Sequence, residues 1–202
     1  MTLYDYQDCP FAKKVRIVLA EKDLSFDTVT VDLRQGQQRS EDFLKLNPFG
    51  KVPVLIDEGC VMYESYIITE YLNDEYPHPP ELLPEDSSDR ARVRMLADYA
   101  DRAFTLPVMA LAQEREAAEP DAARIGQAKD AITKTLAMLE RELEGKEYLA
   151  GEFSLADVAF TPALLQLDNV SVSLDSALVN VRAWATRLAA RPSVGAVMKL
   201  VA

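Results

Sequence analysis

TLYDYQDCPFAKKVRIVLAEKDLSFDTVTVDL, residues 2–33, is the stretch that decides the fold. Thr2 to Tyr6 reads as a short strand. Pro10 to Lys22 reads as a helix with Val15, Val18 and Leu19 on one face. Ser25 to Leu33 carries β-branched residues and Phe26, and reads as a second strand. A strand, a helix and a strand in this order predict a parallel strand pair joined by a crossover helix.

Further along, Ser40 to Leu46 reads as a short helix stopped by Asn47-Pro48. Val52 to Ile56 and Cys60 to Tyr63 flank Asp57-Glu58-Gly59, which predicts an antiparallel hairpin. Ser65 to Glu75 places Ile67, Ile68, Tyr71 and Leu72 at helical spacing. The segment from Tyr76 to Pro84 is too rich in proline to continue that helix, and reads as a stiff linker. Only helical patterns follow. They cover residues 88–117 with a kink expected at Pro107, then 121–144, a helix starting near Ser154, one over 176–190, and a short last one. The expected organisation is an α/β domain over 1–76, a linker over 77–86 and an all-helical domain over 87–202.

Composition narrows the function. The net charge of −11 repels phosphate backbones and anionic lipid, and leaves a basic protein surface as a conceivable partner. No direct nucleic-acid or membrane partner is expected. No apolar run approaches the ~18 residues of a membrane span, and the N-terminus lacks a signal-peptide pattern. Two cysteines, Cys9 and Cys60, suit a reducing, cytoplasmic setting and no disulfide framework. With one histidine, His78, the chain has too few soft ligands for a structural zinc site, and no metal is expected.

Three motifs carry chemistry. Cys9-Pro10-Phe11-Ala12 puts a cysteine where a helix begins, with proline at the favoured first position. The free N–H groups of that turn can lower a thiol's pKa and make it a nucleophile. A small buried cap is the plainer reading. Lys51-Val52-Pro53 opens a strand; a cis bond before Pro53 would leave the Val52 backbone free to pair with an extended peptide, with Lys51 near a carboxylate, whereas a trans bond would make it an ordinary strand start. Glu64-Ser65 stands at a strand-to-helix junction. It offers one partner to each charge of an α-amino acid group, or simply caps the helix. A fourth motif, Ser154-Leu155-Ala156-Asp157, reads as a structural capping box.

Together these motifs resemble the cytosolic glutathione-transferase family, over essentially the whole chain. The resemblance implies a thioredoxin-like N-terminal domain, an all-α C-terminal domain and a homodimer. It implies glutathione as co-substrate, with Glu64 and Ser65 on its γ-glutamyl end, Val52 on its cysteinyl backbone and Lys51 near its glycine carboxylate. Cys9 then occupies the position where many members carry tyrosine or serine. A cysteine there favours a mixed disulfide with glutathione. Because Ala12 stands where dithiol glutaredoxins carry a second cysteine, the expected cycle is monothiol. The second substrate would be a small electrophile or a disulfide, with Phe11 and residues near Tyr99, Phe104 and Met109 as expected walls. Tyr4 and Tyr6 are near enough in sequence to compete with Cys9.

A second resemblance lies in Val15 to Lys22 and in Tyr76-Pro77-His78-Pro79-Pro80. These look like stringent starvation protein A, a regulator with the same fold that binds RNA polymerase. By that resemblance Pro77, His78 and Pro79 would be partner-contact residues.

Overall fold

The computed structural model describes residues 1–198. Two compact units emerge: Met1–Glu81 with the closing helix, and Leu82–Arg191.

The first unit runs β1 (Thr2–Asp5), α1 (Pro10–Glu21), β2 (Asp27–Thr30), α2 (Glu41–Leu46), β3 (Val54–Asp57), β4 (Cys60–Tyr63) and α3 (Ser65–Glu75). Its four-stranded sheet has the order β2-β1-β3-β4. The β1–β2 pair is parallel and the other two pairs are antiparallel, as the crossover and hairpin readings require. Leu3 faces Leu55 across β1 and β3, and both are fully buried. The next side chain, Tyr4, alternates to the other face and packs on Phe43 of α2, ring centres 6.4 Å apart. β2 is shorter than the sequence suggests and all four of its residues are exposed. It is an edge strand, so its β-branched side chains do not report burial.

The second unit is helical: α4 (Ser87–Ala100), α5 (Leu106–Glu116), α6 (Ala122–Glu142), α7 (Leu155–Leu164) and α8 (Val179–Ala190). The break within the expected long helix is a π turn over Asp101–Thr105, which ends two residues before Pro107. Proline sits there in the first turn of α5, where its missing N–H costs little. Thr135 of α6 donates its hydroxyl to the Ala103 carbonyl inside the π turn, at 3.0 Å. Phe104, expected to line a substrate wall, is instead fully buried against Phe160, ring centres 5.6 Å apart. It belongs to the core of this unit.

The core is organised by α7, all ten residues of which are buried. Ser154 and Asp157 form the capping box that the sequence predicts. Asp157 also accepts from the Leu149 N–H at 3.0 Å and the Trp184 indole at 2.9 Å.

The last helix, α9 (Pro192–Met198), packs on α1, and Ser193 donates its hydroxyl to Glu21. The sequence reading grouped this helix with the helical half. Its buried Val194 and Val197 serve the first unit instead.

Candidate functional site

Strand register fixes the frame of the site. Val54 of β3 lies opposite both Tyr4 of β1 and Tyr63 of β4. The end of β1, the start of β3 and the end of β4 therefore share one end of the sheet. From that end the chain runs into Cys9, out of Val52–Pro53 and into Glu64–Ser65.

Cys9 is the N-cap of α1, with extended backbone (φ −73°, ψ 117°), and Pro10 is the first helical residue. The thiol sulfur lies 3.9 Å from the Val52 carbonyl oxygen. Cys9 is 8% exposed, within an apolar cluster that includes Ala12, Val31, Phe43, Val52 and Val54. Tyr4, Tyr6 and Phe11 pack against the same cluster, partly buried.

Burial pushes the thiol's pKa up. The backbone N–H groups of Ala12 and Phe11 and the charge of Lys14 pull the other way, and Asp5 adds to the rise. The helix start therefore acts in the expected direction, but the loss of water around sulfur outweighs it. Lys14 is drawn aside over the Phe11 ring, 4.8 Å from its centre.

The Val52–Pro53 peptide bond is cis. Asn47 shapes the loop before it. This residue is 1% exposed; its amide donates to the Lys51 carbonyl at 2.7 Å and accepts from the Phe49 N–H at 3.0 Å. Gly50 turns the loop at φ +59°, and a Cβ there would stand 2.9 Å from the Gln38 carbonyl oxygen. Lys51 itself is exposed and Val52 buried.

Glu64 caps α3 with φ +70° and ψ 114°. A non-glycine residue held there costs on the order of 1–3 kcal/mol, and such strain gathers at ligand sites. Glu64 is exposed, while Ser65 is buried at the first turn of α3.

Three residues of this region escape the sequence reading. Asn47 was visible only as a helix stop. Gln38 has a buried amide oxygen without a hydrogen-bond partner, beside the Gly50 turn. Lys13, four residues after Cys9, is 1% exposed, and its amine is likewise unpartnered. A buried lysine inside a basic-looking pair leaves no sequence signal, because burial depends on what packs over it.

Pro77, His78 and Pro79 are exposed and stand apart from Cys9. Lys22, just past the C-terminal end of α1, donates to the carbonyls of Tyr76 (3.1 Å) and His78 (2.9 Å). The His78 Nε2 returns to the Lys22 carbonyl at 2.8 Å. Twelve helical residues separate Cys9 from Lys22, about 18 Å along the axis. The two surfaces singled out by the sequence lie at opposite ends of one helix.

Residues 3–80 match the family model of the glutathione S-transferase N-terminal domain, and residues 96–192 match that of the C-terminal domain. The chain belongs to the glutathione S-transferase family. Glutathione S-transferase 3 of Zea mays is 34% identical over 96% of this chain and 90% of its own length. A stringent starvation protein A homolog of Pasteurella multocida is 34% identical over 88% of this chain and 79% of its own. Among solved structures, a serine-to-cysteine mutant of poplar glutathione transferase F1 superposes with a TM-score of 0.90 at 30% identity, covering 98% of this chain and 96% of that one. As a glutathione S-transferase family member, the chain has the four-stranded mixed sheet and the helical second unit of that fold. Among its described residues no helix is long and apolar enough to cross a membrane. No group of three or more histidine, cysteine, aspartate or glutamate side chains there is placed to hold a metal ion.

Proposed function

We propose that this chain is a glutathione-dependent thiol transferase with Cys9 as its nucleophile. The observation that carries the reading is the 3.9 Å approach of the Cys9 sulfur to the Val52 carbonyl. In this reading the backbone of Val52 pairs with the cysteinyl unit of glutathione, which sets the glutathione sulfur beside Cys9. Lys51 holds the glycine carboxylate, and Glu64 and Ser65 hold the γ-glutamyl end. The strained backbone of Glu64 and the unpartnered amide oxygen of Gln38 support a ligand at this end of the sheet.

The chemistry is thiol–disulfide exchange. The Cys9 thiolate attacks the glutathione sulfur of a mixed disulfide, and the bond from that sulfur to the substrate sulfur breaks. The substrate leaves as a thiolate and takes up a proton. A second glutathione thiolate then attacks the Cys9 adduct, releases Cys9 and leaves as oxidised glutathione. No second cysteine is needed, in keeping with Ala12. The protein works as a cytoplasmic homodimer in this reading. The test is retention on immobilised glutathione together with two assays, one with a mixed disulfide and one with a haloaromatic electrophile. Retention with disulfide turnover that Cys9→Ser abolishes supports the proposal; absence of both retention and turnover refutes it.

A second reading has its own observation. Pro77, His78 and Pro79 are exposed yet fixed by the Lys22 clamp, as a recognition surface requires. With the likeness to stringent starvation protein A homologs, this supports contact with RNA polymerase. Recovery of the polymerase by the parent protein and its loss with His78→Ala supports this role. Because the surface stands apart from Cys9, the two roles are compatible.

A further inference from the structure

Lys13 follows Cys9 by one helical turn, and its N–H donates to the Cys9 carbonyl at 3.1 Å. Residues four apart share a helix face, and helical side chains lean toward the N-terminus. Lys13 therefore lies on the Cys9 side of α1, and the charges of Asp8 and of Cys9 both act on its amine. It is 1% exposed, and no hydrogen bond satisfies its nitrogen. A lone buried ammonium is costly, and so is a lone buried thiolate. The two together form a neutral pair, which the same surroundings tolerate far better.

We infer that the Lys13 ammonium is the counter-charge of the Cys9 thiolate, which forms as the thiol gives its proton to water. This inference rests on the thiol chemistry proposed above. The thiolate then attacks a disulfide, one sulfur–sulfur bond forms as another breaks, and the departing thiolate takes up a proton from water. Lys13 acts through Cys9 and is a positioning residue. Burial pushes the Cys9 thiol up and the Lys13 ammonium down, which brings the two groups closer in proton affinity. Asp8 opposes the fall at Lys13, and itself stands 3.9 Å from Arg34. At Cys9, Lys14 and Asp5 act in opposite senses, and Asp5 is paired with Arg16. Of the helices packed on α1, α3 carries Glu70, Asp74 and Glu75, and the described part of α9 carries no charge.

The experiment is alkylation of Cys9 by iodoacetamide, an uncharged reagent, in a Cys60→Ser background that removes the exposed second thiol. Rates and ultraviolet thiolate absorbance are followed against pH for the parent, Lys13→Met, Lys13→Arg and Lys14→Met. Thermal melts establish that each variant is folded. Lys13→Met is expected to lose at least about tenfold in rate at neutral pH, with the thiolate midpoint moved up by about one unit or more. Lys13→Arg, which keeps a positive charge, is expected to stay within about threefold of the parent. Lys14→Met should change the rate less than Lys13→Met does. A Lys13→Met rate within twofold of the parent overturns the inference, as does equal loss in the Met and Arg variants, which would mean packing alone. Glutathione takes no part in this assay, so its outcome is independent of whether glutathione binds.

Discussion

The Cys9 sulfur lies 3.9 Å from the carbonyl oxygen of Val52, the residue joined by a cis peptide bond to Pro53. The sulfur comes from the start of α1 and the carbonyl from the loop that leads into β3. The loop that presents Val52 is held by Asn47, whose side chain bonds the Lys51 carbonyl and the Phe49 N–H.

Asn47→Ala removes both bonds from a residue that is 1% exposed. We expect it to weaken glutathione binding by about tenfold or more and to lower stability by roughly 1–3 kcal/mol. Alkylation of Cys9 should change far less, because α1 is untouched. Calorimetric titration with glutathione and urea unfolding measure the two effects. Unchanged affinity in a folded variant would show that the loop does not present the ligand.

Asp157 accepts from the Leu149 and Ser154 N–H groups, the Ser154 hydroxyl and the Trp184 indole. Asparagine is nearly isosteric, but its amide nitrogen must face at least one of these donors. Asp157→Asn is therefore expected to cost about 2–4 kcal/mol. Trp184 is the only tryptophan in the chain, so its fluorescence reports this bond directly during denaturant unfolding. A loss under about half a kcal/mol would contradict the network.

Much of this was legible beforehand, and the reason is physical. The first β-α-β unit, the hairpin and the capping box each depend on local periodicity, turn residues or a three-residue spacing, all of which a sequence displays. Cys9, Val52, Glu64 and Ser65 were singled out because each marks an element boundary. Burial was hidden. Cys9 enters an apolar cluster built from Val31, Phe43 and Val54, which come from separate elements, and this reverses the direction of its pKa. Phe104 looked like a wall residue because its pattern did not show that the π turn carries it against Phe160. The placement of α9 on α1 joins residues 172 positions apart, beyond the reach of any local pattern.

Tyr71 and Tyr76 both donate to one oxygen of Asp57, at 3.1 and 2.6 Å. Burial, with the Asp57 bond and charge adding to it, raises the Tyr71 phenol to about 12. An acid whose folded pKa is raised stabilises the fold below its unfolded value, about 10 for tyrosine, and loses that contribution as pH rises through the folded value. The Tyr71 contribution should thus fade between pH about 10 and about 12. In Asp57→Asn, phenolate absorbance should show Tyr71 titrating nearer the ordinary tyrosine range. Identical titrations of parent and variant would remove Asp57 from the account.

The most direct measurement of the central claim is the mass of the intact Cys60→Ser protein after exposure to oxidised glutathione. The account predicts one glutathionyl group per chain, mapped by peptide fragmentation to Cys9 and removed by reduced glutathione. A chain that gains no such group while Cys9 still reacts with iodoacetamide would contradict it, because the thiol would then be competent and the site would not deliver glutathione to it.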